Sequence, residues 1–142
     1  MDMTKSVIYD NGTGRKYSLG NLFDKRSYSS EEGLLTIGRD RESDITVGLL
    51  NESDETGKNI RTQDSDLREK LKKVSRTHGR FFRDVEGNVY FGDQSLHGTI
   101  VSGKDGKNSK ELRGQSHVLS DGDTLSLPEY SVTYRKEPVK LS

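Results

Sequence analysis

Val74-Ser75-Arg76-Thr77-His78-Gly79, running straight into Arg80-Phe81-Phe82-Arg83 and then Asn88-Val89-Tyr90-Phe91, is the stretch on which the fold is decided. The hexapeptide has neither a helical nor a strand period. The two runs after it are short and rich in aromatic and β-branched residues, as half-buried strands are, and Glu86-Gly87-Asn88 between them is a turn signal. The same texture continues in Thr99-Ile100-Val101, Ser116-His117-Val118-Leu119, Thr124-Leu125-Ser126-Leu127 and Ser131-Val132-Thr133-Tyr134. Turn clusters such as Gly103-Lys104-Asp105-Gly106 and Asp121-Gly122-Asp123 separate them. Many brief strands joined by Gly-rich turns predict an all-β sandwich. A hydroxyl, a guanidinium and an imidazole crowded into the one run without a period mark it as a loop able to hold an anion.

Upstream the β pattern also dominates. Ser6-Val7-Ile8-Tyr9 and Lys16-Tyr17-Ser18-Leu19 flank Asp10-Asn11-Gly12-Thr13-Gly14, which predicts a hairpin; its Asn-Gly-Thr triplet is read as a turn and not as a glycosylation site. Residues 20–33 read as polar and irregular apart from Leu22 and Phe23. Leu34-Leu35-Thr36-Ile37 then forms a strand ending at Gly38-Arg39, and Ile45-Thr46-Val47 resumes the pattern. Between Val47 and Val74 the pattern breaks, first into a polar loop through Asn59. A short helix follows over residues 64–74, with Leu67, Leu71 and Val74 at i, i+4 and i+7, Asp64 or Ser65 as N-cap, and bases towards its end. Residues 48–73 are therefore an insertion in a single domain spanning 1–137, and 138–142 read as a tail.

Composition narrows the function. Of 142 residues only 28% are hydrophobic and 32% are charged, so the core must come from short, regularly spaced segments. There is no Cys, which rules out disulfide frameworks and Cys-based zinc sites. No apolar run reaches membrane-spanning length and the first residues lack a signal-peptide layout, so an intracellular protein with no membrane partner is expected. Net charge is zero, with 23 basic and 23 acidic residues, which argues against a nucleic-acid binder driven by overall charge. The charge is unevenly placed. Six acids face one base between Asp40 and Glu55, and nine bases face three acids between Lys58 and Arg83. Nucleic-acid binding by that basic stretch is disfavoured, because only Phe81 and Phe82 are near for stacking and at least one should be core. Catalysis is disfavoured too: there is no nucleophile elbow, no phosphate-cradling Gly loop and no metal-spaced His pair, so no catalytic residue, metal or cofactor is assigned.

Three loops carry residue types that a β scaffold does not require: Gly38-Arg39; Ser75-Arg76-Thr77-His78; and Asp93-Gln94-Ser95-Leu96-His97-Gly98-Thr99. Arg39 can project beyond a sheet edge, Ser75 and Arg76 can donate to one phosphate, and Gly98 permits a tight turn. Taken with Ser43-Asp44-Ile45 and with Leu119-Ser120-Asp121-Gly122-Asp123-Thr124-Leu125, the ordered blocks from about Leu34 to Tyr134 closely resemble the forkhead-associated (FHA) domain pattern.

That resemblance implies a sandwich of about eleven strands whose loops at one end bind a threonine-phosphorylated protein or peptide, in kinase-dependent signalling or assembly. It implies phosphopeptide contacts from Arg39, Ser75, Arg76, Thr77, Leu96 and His97, and loop-structuring roles for Gly38, His78, Gly98 and Thr99. By the same resemblance the compartment would be the nucleus, with the cytoplasm as the alternative. Two positions depart from the family. His97 stands where Asn usually bonds the peptide main chain, and an imidazole cannot reproduce an amide's paired donor and acceptor. Leu96 replaces a small hydroxyl residue that often assists phosphate binding. The segment from Arg39 to Ser75 is also longer than usual, and its helix is expected to pack beside the loops. Thr62-Gln63 matches a common kinase acceptor dipeptide that arises often by chance. The competing reading is a phosphate-independent interaction module that uses the sandwich side face or the inserted helix.

Overall fold

Short strands with little apolar content can share a core only by stacking in two layers, and the computed structural model, which describes residues 4–26, 34–106 and 108–139, is built that way. In chain order the elements begin with β1 (Thr4–Asp10), β2 (Lys16–Ser18), α1 (Leu19–Arg26), β3 (Leu35–Gly38) and β4 (Ile45–Thr46). The insertion contributes β5 (Leu49–Ser53), β6 (Asn59–Arg61) and α2 (Ser65–Leu71). The chain continues through β7 (Gly79–Arg83), β8 (Val89–Asp93), β9 (Thr99–Ser102) and β10 (Lys110–Leu112), then β11 (Ser116–Val118), β12 (Thr124–Leu127) and β13 (Tyr130–Pro138). One sheet has six strands in the order β10-β9-β12-β13-β1-β2, and the other has five in the order β11-β8-β7-β3-β4. Their eleven strands are the sandwich. Among the described residues β5 and β6 pair only with each other.

Apart from the parallel pair β3 and β4, strand pairing is antiparallel, so alternate side chains of each strand meet the opposite sheet. Phe81 and Phe91 pair in register across β7 and β8, are fully buried, and set their rings 5.5 Å apart at 58°. Ile37, Ile45, Leu125, Val132 and Tyr134 are likewise fully buried and complete the layer between the sheets. The predicted first hairpin is present as β1 and β2, held by Asp10, whose carboxylate accepts from the amides of Gly12 and Thr13.

Five local expectations change. Residues 19–26 are helical, not irregular: Leu19 and Phe23 lie at i and i+4, both buried, and the Ser18 hydroxyl accepts the Asn21 amide at the helix start. Residues 27–33 lie outside the described residues. The polar loop expected over 48–59 is a hairpin, because Asp54 closes its turn by accepting from the amides of Thr56 and Lys58 while Gly57 takes the left-handed conformation. The inserted helix stops at Leu71, capped by Asp64 through the amides of Asp66 and Leu67, and Val74 is buried beyond its end. β10 was unmarked because Leu112 is its one apolar residue; pairing with the edge strand β9 makes it a strand. β13 runs through to Pro138, where the tail was expected to start.

The insertion is closed at its base and tied to the sandwich. Gly48, in the left-handed conformation at φ 84°, lies so close to Leu71 that a Cβ there would come within 2.5 Å of the leucine Cδ1. The amide of Gly48 donates to the Asp10 carboxylate at 2.8 Å, and Arg15 donates to the Leu50 carbonyl at 3.0 Å. A segment fastened at both ends to a buried carboxylate and a buried leucine has a fixed position relative to the loops that follow it.

Candidate functional site

Three loops converge at one end of the sandwich, and backbone hydrogen bonds set their spacing. The loop after β3 lies along the loop before β7: the Arg39 amide donates to the Ser75 carbonyl and the Asp40 amide to the Arg76 carbonyl, both at 3.1 Å, and the His78 amide donates to the Ile37 carbonyl at 2.8 Å. Gly38 is needed where they cross, since a Cβ there would lie 2.0 Å from the Arg76 carbonyl oxygen. The Ser43 hydroxyl adds a long contact to the same carbonyl, and Asp44 anchors the far side of the loop by accepting the Thr36 amide at 2.9 Å.

Arg39 is half-buried. Its Nε donates to the Val74 carbonyl at 3.0 Å, which pins the guanidinium to the residue before Ser75 and leaves its two Nη groups without a hydrogen-bond partner among the described residues. Ser75 accepts the Leu96 amide on its hydroxyl oxygen at 3.3 Å, so the second and third loops meet at this side chain and its own proton stays available to donate. Arg76 and Thr77 are exposed on the same rim.

His78 is the internal strut. Its ring is fully buried. The Ser75 amide donates to Nδ1 at 3.2 Å, so Nδ1 carries no proton and Nε2 carries it. Nε2 lies 3.2 Å from the Gly98 carbonyl and 3.0 Å from the Thr99 hydroxyl, which in turn donates to Asp93 at 2.8 Å. One imidazole thus holds the second loop by its front and the third by its back. Burial pushes the His78 pKa below the ordinary histidine value, with His97 adding to that, against the opposing pull of the Gly98 carbonyl and the Asp93 carboxylate.

Asp93 organises the third loop. It accepts from the Ser95 hydroxyl at 2.7 Å, from Thr99 and from the Gly114 amide at 2.9 Å. Burial works against its charged form, but the bonds from Ser95, Gly114 and Thr99 outweigh that and hold the carboxyl below its usual range. The Ser95 hydroxyl accepts the Gly98 amide at 2.8 Å, and Gly98 sits at φ 85°. The turn projects Leu96, 86% exposed, and His97 outward.

The structure therefore brings Arg39, Ser75, Arg76, Thr77, Leu96 and His97 to one rim and places Gly38, His78, Gly98 and Thr99 beneath it. The sequence motif alone assigns Asp93 no role, although Asp-x-Ser ahead of a Gly is a turn-forming pattern. Arg61 carried no signal at all: its guanidinium, on β6, donates to the Arg39 carbonyl at 2.8 Å across 22 positions of sequence. The inserted helix packs beside the loops as expected, with Arg39, Arg61, Arg68, Leu71 and Lys72 lining a pocket of about 300 Å³. Thr62 is buried and accepts the Asp64 amide, so the fold does not present it to a kinase.

Comparison with solved structures shows the same fold at low identity. Mycobacterium tuberculosis EmbR, solved with a low-affinity phosphopeptide, is 18% identical with a TM-score of 0.57; the match covers 99% of this chain and 26% of that one, so the chain spans about a quarter of EmbR. The N-terminal FHA domain of S. cerevisiae Rad53p, solved with a phosphothreonine peptide, is 18% identical with a TM-score of 0.57 and 92% of each chain covered. The FHA domain of the Chlamydia trachomatis CT664 protein is 16% identical with a TM-score of 0.54, covering 92% of this chain and 96% of that one. No curated protein sequence matches the chain. The FHA domain family profile matches residues 35–128, from the first strand of the five-stranded sheet to the end of β12, and so takes in all three converging loops: the chain belongs to the FHA domain family.

Proposed function

We propose that the chain is a phosphopeptide-binding module that reads phosphothreonine in a protein partner through the rim formed by Arg39, Ser75, Arg76, Thr77, Leu96 and His97. The observation that carries this reading is Arg39: its Nε is fixed on the carbonyl of Val74, the residue before Ser75, while both Nη groups stay open among the described residues. A planar fork with two free donors next to a neutral hydroxyl donor suits the several acceptor oxygens of a phosphoryl group. Support also comes from the neighbours, since EmbR and the Rad53p domain were solved with phosphorylated peptides. In this reading the loops are held from beneath by His78 and Asp93, so the donors are in place before the ligand arrives and little ordering is needed on binding.

The test is calorimetric titration with matched peptides carrying threonine, phosphothreonine or phosphoserine at one position. Binding that requires phosphate, and is weaker for phosphoserine, is expected. Equal binding of phosphorylated and unphosphorylated peptide would replace this reading with the phosphate-independent one, in which the sandwich face or the inserted hairpin and helix make the contact.

A further inference from the structure

The insertion places a second cationic pocket beside the first. Arg61 on β6, Arg68 on α2 and Lys72 just past its end converge with Arg39 around about 300 Å³ of open space floored by the buried Leu71, and no carboxylate among the described residues lines it. The three guanidinium groups are tethered by uncharged partners. Arg39 is held by the Val74 carbonyl, Arg61 by the Arg39 carbonyl, and Arg68 makes a 3.5 Å contact with the Gln63 side-chain oxygen. Lys72 meets Glu69 at 2.8 Å, but that is an exposed pair one turn apart and is worth little. Arg61 is held below its ordinary arginine value first by burial and then by Arg41, Arg39 and Arg68, as expected where like charges face one another. Folding that brings these groups together costs free energy that an anion would recover.

We propose that this pocket takes a second phosphoryl group on the same peptide, so that the preferred ligand is doubly phosphorylated, an inference that rests on the phosphothreonine reading above. Arg39 joins the two sites: its backbone amide and Nε are bound to the Ser75 loop and the residue also lines the second pocket, so the sites adjoin and two phosphoryl groups on one short peptide reach both. The chemistry favours phosphoryl over carboxylate. A near-dianion with three acceptor oxygens can engage three guanidinium groups and an ammonium, whereas a carboxylate fills one bidentate fork. The position of these cations is fixed by the fold, because the insertion is closed at Gly48 and Leu71 and fastened to Asp10.

The experiment titrates the intact chain with four kinds of peptide: unphosphorylated, phosphorylated on one threonine, phosphorylated there and on one serine up to about five residues to either side, and the last kind with glutamate in place of the phosphoserine. At the best spacing the second phosphoryl group should tighten binding about tenfold or more, and glutamate should give a much smaller gain. The double variant Arg68→Gln with Lys72→Gln, both exposed, one on α2 and one just past its end, should abolish that gain while leaving affinity for the singly phosphorylated peptide within about twofold. Its thermal melting is measured alongside to confirm an intact fold. Absence of a gain at every spacing, a gain that survives the double variant, or an equal gain from glutamate overturns the second pocket but leaves the phosphothreonine reading standing. Failure of every phosphopeptide to bind removes both.

Discussion

Gly38→Ala tests the reasoning most directly, because its effect can be worked from one contact. The residue has an ordinary backbone conformation, so nothing is lost by adding a Cβ except space. That Cβ would sit 2.0 Å from the Arg76 carbonyl oxygen, 2.7 Å from the Arg76 carbonyl carbon and 3.0 Å from the His78 amide nitrogen. Carbon and carbonyl oxygen ordinarily meet at about 3.3 Å, so the two loops must separate by on the order of an ångström. All the nearest atoms are backbone, so no side chain can swing aside. A separation of that size breaks or weakens the bonds from Arg39 to Ser75, from Asp40 to Arg76 and from His78 to Ile37. At about 1 kcal/mol each, the expected loss is about 2 to 3 kcal/mol, a fall in melting temperature of about 6 to 9 °C for a domain of this size. Phosphopeptide affinity should fall with it, because Arg39 and Ser75 move apart. Differential scanning calorimetry and peptide titration read the two effects. Gly20→Ala is the control: a Cβ there meets nothing within 4 Å, and relief of backbone entropy in α1 should stabilise by about 0.5 kcal/mol. If the two variants melt within a degree of each other and bind alike, the crossing at Gly38 does not set the site.

The other predictions bear on separate parts of the rim. Arg39→Ala should weaken phosphothreonine-peptide binding about ten- to a hundredfold by calorimetry while costing about 1.5 kcal/mol of stability for the lost Nε bond to the Val74 carbonyl, because the contact with phosphate exists only with ligand bound. His97→Asn should restore a paired donor and acceptor at the outer edge of the third loop and tighten binding by up to about tenfold in the same titration. Asp93→Ala should destabilise by about 3 kcal/mol or more in denaturant unfolding, since it strands the Gly114 amide and frees the Ser95 and Thr99 hydroxyls at once. The pH dependence follows from His78. Its folded pKa is lowered, so its contribution to stability is complete above the unfolded value of about 6.5 and is lost as pH falls from there towards the lower folded value. The unfolded chain takes up a proton first, and Nδ1 cannot take one up in the folded chain without breaking the bond from Ser75. Asp93 also has a lowered folded pKa, so its contribution disappears only below about 4, in a separate window. Denaturant titrations at stepped pH, with His78→Gln to remove the upper window, check both.

The sandwich was legible in the sequence where a strand carries its own alternation and its own turn. β7 and β8 show this, with Phe81 and Phe91 facing inward and Glu86-Gly87-Asn88 between the strands. Legibility fails where structure is conferred from outside. Lys110, Glu111 and Leu112 form a strand because β9 offers an unpaired edge, and nothing within the tripeptide demands it. The hairpin of β5 and β6 was hidden by its charge, since only the Asp54 to Gly57 turn distinguishes it from a loop. α1 was hidden by Gly20 and by polar residues that outnumber Leu19, Leu22 and Phe23. The rim residues were legible for a different reason. Arg39, Ser75 and His78 occupy positions where a sheet needs nothing of their kind, so the FHA resemblance could fasten on them. Contacts between distant segments were not legible: the bond from Arg61 to the Arg39 carbonyl joins β6 to the loop after β3, and neither segment's sequence signals the other.

That bond also explains why the insertion and the rim are best regarded as one unit. Arg61 reaches the backbone of Arg39, Arg39 reaches the backbone of Val74, and Val74 is the buried residue through which α2 feeds into Ser75. Any displacement of β6 is therefore passed to the Arg39 guanidinium and then to Ser75 through neighbouring hydrogen bonds. Arg61→Gln shortens the side chain, removes its charge and leaves two N–H donors in place of five, so it should loosen the Arg39 carbonyl and lower repulsion in the second pocket together. Affinity for the singly phosphorylated peptide should fall by a few fold, as expected for loss of one supporting hydrogen bond worth about 1 kcal/mol. The gain from a second phosphoryl group should fall as well. Arg61→Lys, which keeps the charge but not the planar fork, should recover the gain in part while leaving the singly phosphorylated affinity low. If the two readouts moved in parallel through both variants, Arg61 would act only by holding Arg39 in place. Separation of the two by the lysine variant distinguishes its support of the rim from its charge in the pocket.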